Sequence, residues 1–362
     1  MLKKSISIII LTYNCANVLV NNLQSLLMQK FPTKSLEIII IDDASKDGTQ
    51  KILHEIKCWD QRIEIYKLTK NHGNGFCKNL ALSIATGEII FFIDDHVSFT
   101  DKNTISKMYS FLKKNPTIGG VCGNYISTSR DDLNICRDIR RYMIYNKNYK
   151  NIALHPEKFI PFSIVISALN RKIINNNSLF PTDFKKNAAE DIFFQIKQHK
   201  EGIIFQYLKN IIVEHNHNIS LNELLIKSKR ELNGFSYILG SFADDKYFRS
   251  QYLPCFFSFP LLFWIFLCAG FFINIFYFIA LILLSADILI IFKIFYFKGS
   301  LLSRFKSFTY CIITEMMKIF FVIKTFLKKP NKIGHILTLL LKWELKKIIY
   351  IYENKLKKSR SH

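Results

Sequence analysis

The chain has 362 residues, with 50 Lys+Arg against 28 Asp+Glu, a net charge of +22, and 49% hydrophobic residues. That length exceeds one average domain and has room for two. A nucleic-acid binder can be this basic, but here the charge clusters beside apolar stretches near the C-terminus rather than with aromatic stacking motifs, which places that class last. The eight cysteines (Cys15, Cys58, Cys77, Cys122, Cys136, Cys255, Cys268, Cys311) form no C-x-x-C pair and no zinc spacing. They read as reduced cytosolic or lipid-side thiols rather than a disulfide framework.

Met1-Leu2-Lys3-Lys4 and the run that follows resemble a signal segment, but Ser7 interrupts the run and no small-residue cleavage site follows. Ser5–Leu11 is therefore predicted as the first strand. Further apolar runs at Leu36–Ile41, Ile63–Leu68, Glu88–Ile93, Gly119–Cys122 and Phe162–Ala168 predict strands. Helical spacing separates them at Val18–Gln29, Thr49–Lys57, Lys78–Ala85 and Asn103–Lys114. This alternation predicts an α/β domain over residues 1–245, a mostly parallel sheet wrapped by helices.

Three strands end in polar clusters: Thr12-Tyr13-Asn14, Asp42-Asp43 and Asp94-Asp95-His96. Ionised groups at the end of a buried strand are costly unless paired, hydrated or bound to a cation. The carboxyl ends of such strands are also where open α/β sheets place their ligands. The bland account is a solvated strand end, and for Ser45 and Asp47 it is a turn and helix cap ahead of Thr49. Capping does not account for a doubled Asp directly after Ile38–Ile41. Next comes Asn71-His72-Gly73-Asn74-Gly75-Phe76-Cys77-Lys78-Asn79, a glycine loop that opens a helix and lets amides and a cation approach a phosphate. Glu190-Asp191 opens another helical pattern, where the helix dipole alone favours carboxylates. His215-Asn216-His217 follows the apolar run Ile211–Val213, and a polar strand end is its plain reading.

Pro254 to Ala286 holds 33 consecutive residues without a charged side chain, and apolar character persists to Phe297. About 20 apolar residues span a bilayer, so residues 246–362 are expected to anchor the chain, with spans near 254–275 and 276–297. Residues 307–327, which carry Glu315, Lys318 and Lys324, form a third span, a re-entrant helix or an interfacial one. Ile333–Tyr352 is basic and amphipathic and is expected to lie on the membrane. From Lys298 to His362, fifteen Lys+Arg stand against three Asp+Glu. That excess keeps the flank cytoplasmic and draws it to anionic lipids. Asp287, inside the second span, is functional at that depth or lies at an interface or helix contact.

Taken in order, Thr12-Tyr13-Asn14, Asp42-Asp43-x-Ser45-x-Asp47-Gly48-Thr49, Asn71-x-Gly73 with Lys78-Asn79, Gly87-Glu88 before Asp94-Asp95-His96, and Glu190-Asp191 resemble a family 2 glycosyltransferase, over about residues 5 to 240. The resemblance implies a GT-A fold followed by C-terminal transmembrane helices, similar to bacterial members that act on lipid-linked sugars. It implies that Thr12, Tyr13 and Asn14 line the nucleotide pocket and that Asp43 accepts a hydrogen bond from the base. Asp42 is structural or a ribose contact, Lys78 lies near the diphosphate, and Asp95 belongs to the donor site. Asp94 and His96 match the outer positions of the family's D-x-D metal motif, with His replacing the usual third-position Asp. Imidazole suits Mn2+ as well as other transition ions. The D-x-H arrangement resembles the metal site of polypeptide N-acetylgalactosaminyltransferases, with His215 or His217 as the later histidine; His215 fits the family's Val-x-His position.

Asp191, rather than Glu190, matches the general base, for an inverting in-line displacement assisted by Mn2+ or Mg2+. The Q-x-x-R-W-type motif of processive members is missing, so one sugar per encounter is expected. The expected donor is a nucleotide sugar, a UDP-sugar first, and the expected acceptor a lipid-linked glycan at the cytoplasmic membrane face. The alternatives are a polyprenyl-phosphate sugar synthase, which needs no hydroxyl base, and a degenerate sugar-nucleotide-binding scaffold.

Overall fold

Three isoleucine-rich runs, Ile6–Thr12, Leu36–Asp42 and Ile89–Asp94, lie side by side in the interior of a sheet, because a strand covered by helices on both faces gains from burying every side chain. The computed structural model describes residues 4–128, 164–174, 180–182 and 189–216, with isolated positions between 226 and 242. These residues belong almost entirely to one compact unit, Met1–Ile238. The strands are β1 (Ile6–Thr12), β2 (Leu36–Asp42), β3 (Ile63–Lys67), β4 (Ile89–Asp94), β5 (Val97–Ser98), β6 (Gly120–Ser127), β7 (Ile166–Asn170) and β8 (Phe205–His215). They form one sheet in the order β3-β2-β1-β4-β7-β6-β8-β5.

Strands β1 to β4 pair in parallel, as the alternation predicts. Strand β7 runs antiparallel to both β4 and β6, and β6 pairs in parallel with β8. The predicted strand at Phe162–Ala168 thus lies a few residues later, at Ile166–Asn170.

Helices α1 (Leu19–Leu27), α2 (Thr49–Ile56), α3 (Asn74–Ile84), α4 (Thr104–Lys114) and α5 (Glu190–Lys200) cover the sheet among the described residues. Successive side chains of a strand point to opposite faces, and the two resulting cores separate accordingly. Ile6, Ile8, Ile10, Phe91 and Ile93 pack with Leu23 of α1, Leu53 of α2 and Met108 of α4. Ile9, Ile39, Ile41, Ile90 and Phe92 pack with Cys77 and Ala81 of α3 and Phe194 of α5. Helix α3 begins at Asn74, four residues before the predicted Lys78, so most of the glycine loop is its first turn.

Two details of register position the functional residues. Thr12 pairs with Asp42, and Leu11 with Asp94, so the three polar strand ends lie side by side. An irregularity between Cys122 and Asn124 shifts the β6–β8 register, after which Ser127 pairs with His215. Such a shift re-aims a strand. His215 also pairs with Val97 of β5, directly after His96.

Among the described residues no helix is long and apolar enough to cross a membrane. The expected spans at 254–297, the segment 307–327, the basic tail and His217 lie outside the described residues.

Candidate active site

The first loop is fixed by backbone geometry. Asn14 adopts a left-handed φ of 53°, which Asn tolerates better than most residues. Its Oδ1 accepts the Lys46 amide at 2.8 Å, and its own amide donates to Ser45 Oγ at 2.9 Å. The Cys15 amide donates to Thr49 Oγ1 and the Ala16 amide to Asp47 Oδ2. Thr12 is buried, while Tyr13 is 46% exposed. The first two polar clusters are thereby tied into one unit.

The doubled aspartate divides its work. Asp42 is fully buried, and its Oδ1 accepts the amide and hydroxyl of Ser45, a local turn that gives it a structural role. Asp43 accepts the His72 amide at 2.7 Å on one oxygen and the Gly73 amide at 2.8 Å on the other. Each carboxylate oxygen has more than one lone pair, so Asp43 holds the glycine loop and keeps acceptor capacity for a further donor. Gly73 has φ 86°, a conformation that glycine adopts without steric cost.

Helix α3 links this loop to α5. A Cβ on Gly75 would collide with the Pro181 carbonyl oxygen, and Asn79 exchanges hydrogen bonds with the Phe180 backbone at 2.8 and 3.0 Å. Gly75→Ala is expected to cost about 1–3 kcal/mol, as overpacking does, read as a lower denaturation midpoint. An unchanged midpoint would mean that Pro181 does not seat on α3.

One turn further along, Lys78 Nζ meets Glu190 Oε1 at 2.5 Å, with side chains only 4% and 8% exposed. The ammonium also lies 5.2 Å from the centre of the Phe180 ring. Lys78, expected near the diphosphate, is thus already engaged with Glu190. Burial pushes the Glu190 carboxyl up, but the Lys78 charge outweighs it and holds the group below its ordinary range.

Asp191 behaves in the opposite way. Burial, then the Glu190 charge, raise its pKa to about 6, against the lowering influence of Lys78. Ala189, which precedes this helix, has a left-handed φ of 84°. For a non-glycine residue that is backbone strain of the kind concentrated at functional sites.

The third cluster gathers histidines. His96 Nδ1 lies 2.6 Å from Asp95 Oδ1 and 3.3 Å from Asp94 Oδ1, and His215 Nε2 lies 3.6 Å from Asp94 Oδ1. The two rings stack at 5.6 Å with an interplanar angle of 17°, and Tyr125 lies 5.1 Å from His215. The Asn216 amide donates to the His96 carbonyl at 2.8 Å. Burial raises the Asp94 carboxyl, but His215 and His96 more than reverse this and hold it well below the usual range. Asp95 is pushed up, chiefly by burial. A carboxylate between two imidazoles is a mixed oxygen and nitrogen donor set of the kind that suits Mn2+ and neighbouring transition ions.

Two contributors carry no motif. Asn22 of α1 donates from Nδ2 to the Asp95 carbonyl and accepts from Asn216 Nδ2 at 3.1 Å, joining the D-x-H turn to the end of β8. Its only signal in the sequence is a polar residue on the apolar stripe of Leu19, Leu23 and Leu26. Cys15 is buried against His96 and reads as an ordinary thiol in the sequence.

Polar groups gathered at the carboxyl ends of parallel strands, beside a glycine loop, stand where open α/β sheets place their ligands. Among solved structures, the fold is similar to that of a mannosyltransferase from Pyrobaculum calidifontis in complex with GDP-Man and Mn2+. The TM-score is 0.55 at 17% identity, covering 90% of this chain and 87% of that one, so the fold is GT-A. Residues 7–176 match the family model described as glycosyl transferase family 2. That match to the family 2 glycosyltransferases covers just under half of the chain.

A poly(ribitol-phosphate) beta-glucosyltransferase of Bacillus spizizenii is 26% identical over 216 residues, 56% of this chain and 34% of its own length. A UDP-Glc:alpha-D-GlcNAc-diphosphoundecaprenol beta-1,3-glucosyltransferase of Escherichia coli is 35% identical over 129 residues, 32% of this chain and 50% of its own. The chain therefore spans between a third and a half of the length of these curated relatives.

Proposed function

We infer that this protein transfers one sugar per encounter, with inversion, from a nucleoside-diphosphate donor to a hydroxyl of a lipid-linked or polymer-linked glycan. The observation that carries this reading is the division between Glu190, held ionised by Lys78, and Asp191 beside it with a pKa raised to about 6. A base is most effective when its pKa lies near the working pH. Asp191 takes the proton from the acceptor hydroxyl as its oxygen attacks the anomeric carbon and the bond to the diphosphate breaks. Lys78 and Glu190 act as positioning residues that fix the head of α5. Thr12, Tyr13, Asn14 and Asp43 hold the nucleoside, and Asp42 holds the loop between them.

Asp94, His96 and His215 would hold the divalent ion, Mn2+ or Mg2+, and His217 stands next to that set in sequence. When bound, the ion supplies Lewis-acid charge to the departing diphosphate. UDP-sugars are the first donors to try, because the Escherichia coli relative is named for UDP-Glc and its acceptor for a diphosphoundecaprenol. The charge-free run at 254–286 and the basic residues beyond it support an integral protein whose domain faces the cytoplasm and anionic lipid.

The test is sugar transfer from UDP-Glc and UDP-GlcNAc to a polyprenyl-diphosphate-linked sugar by the detergent-purified chain, with and without Mn2+. Transfer that requires Mn2+ supports the reading, whereas nucleotide binding without turnover on any acceptor goes to the scaffold alternative. Undiminished transfer to a bare polyprenyl phosphate by Asp191→Asn goes to the lipid-phosphate synthase.

A pH profile follows from the same group. Protonated Asp191 cannot accept a proton, so turnover at saturating donor should rise through about pH 6 and then level. Burial sets this limb first, with the Glu190 charge adding to it and the Lys78 charge opposing it. A profile flat from pH 5 to 8 (on the order of the ordinary titration range of a base poised near neutrality) would remove Asp191 from the proton transfer.

A further inference from the structure

Cys15 follows Asn14 in the first strand-end loop and is wholly buried. Its Sγ lies 3.9 Å from His96 Nδ1 and 4.0 Å from Nε2, and it faces the Asp95 carbonyl oxygen at 3.8 Å. One donor atom from each of Cys15, Asp95 and His96 falls within 4.8 Å of the other two. In a tetrahedral zinc site with Zn–S near ~2.3 Å and Zn–N near ~2.05 Å, sulfur and nitrogen stand about 3.6 Å apart. The ring must close onto the sulfur by a few tenths of an ångström, and the 2.6 Å contact between His96 Nδ1 and Asp95 Oδ1 must open to about 3.3 Å, so the ion would replace that hydrogen bond.

The donor chemistry differs from that of the Asp94 set. Asp94 with two imidazoles offers oxygen and nitrogen, whereas Cys15 adds a soft sulfur that selects Zn2+ or Co2+ over Mg2+ and Mn2+. A cysteine binds a metal as its thiolate, having given up the thiol proton. Metal coordination releases that proton to solvent and leaves the thiolate as ligand.

We propose that Cys15, Asp95 and His96 form a second ligand set for a thiophilic divalent ion, Zn2+ or Co2+, and that it competes for His96 with the harder ion on the Asp94 side. The inference rests on the reading that Asp94 and His96 hold a divalent ion. The shared imidazole makes the two sets exclusive, so the site responds to which metal is present and not only to whether one is.

The test uses the full chain in detergent, stripped of metal and titrated separately with Co2+, Zn2+ and Mn2+. The expected result is a thiolate-to-Co2+ charge-transfer band that saturates at one ion per chain. It persists in Cys58→Ser, which removes the one exposed thiol among the described residues, and is lost in Cys15→Ser. Zn2+ affinity in Cys15→Ser falls by on the order of 10- to 100-fold, at least what loss of an outer partner costs, while Mn2+ affinity is unchanged. Asp95→Asn, which keeps the thiol, weakens Zn2+ more than Mn2+ and serves should the cysteine variant fail to fold. Mn2+ binding without a thiolate band, or a band that survives Cys15→Ser, overturns this inference alone. Binding of none of the three ions overturns both it and the metal-dependent reading.

Discussion

Asp191→Asn should lower sugar transfer by about 10²- to 10⁴-fold and leave donor binding intact. The substitution is nearly isosteric, and the remaining amide oxygen can still accept the Ile192 amide that Asp191 Oδ1 accepts at 2.9 Å. What it removes is the ability to take a proton. Glu190 cannot substitute, because Lys78 holds it ionised and low. The stability consequence has the opposite sign. The folded chain holds the Asp191 proton more tightly than an unfolded one, since its pKa is raised from 3.8 to about 6. Ionising Asp191 therefore costs stability, a cost absent below the unfolded pKa and fully present above about pH 6. The Asn variant should be at least as stable as the parent at pH 7, and that advantage should disappear as pH falls through the window from 6 to 3.8. Calorimetric titration with UDP, a transfer assay and denaturation at two pH values check the three parts. Undiminished transfer would remove the base role, and lost UDP binding would mean the residue acts on the donor.

The strand ends were readable because buried parallel strands write themselves as unbroken apolar runs, so their termination in Thr12, Asp42 and Asp94 stands out. Strand β8 was harder. Its exposed Lys209, Asn210 and Ile212 interrupt the run before His215, and its partners β5 and β6 lie about a hundred residues away in the chain. Antiparallel β7 carries the same apolar signal as a parallel strand, and nothing in its composition fixes direction. Asp42 and Asp43 are adjacent and chemically identical, yet one closes a turn on Ser45 and the other holds Gly73. Only the backbone direction at the end of β2 separates them. Cys15 is illegible as a ligand for a related reason: metal-ligand spacing is a local pattern, whereas Asp95 and His96 reach it through the pairing of β1 with β4.

Lys78→Met should be the most damaging change to stability, with Lys78 and Glu190 joined across 112 residues of sequence. Removing one partner of a buried ion pair costs about 3–5 kcal/mol, because the other charge stays buried without compensation. For a domain of this size that lowers the melting temperature by on the order of 10 °C. The unpaired Glu190 carboxylate would then take up a proton, so the loss should shrink as pH falls. Replacing both partners, Lys78→Met with Glu190→Leu, leaves no uncompensated charge and should recover most of the stability. It should not recover turnover, because Glu190 and Lys78 also set the charge around Asp191. A double-mutant cycle on thermal melting, read beside transfer rates, separates these roles. Additive single and double losses would show that the pair is not coupled. Recovered melting with recovered turnover would show that the pair serves the fold alone and leaves Asp191 to be tuned by burial.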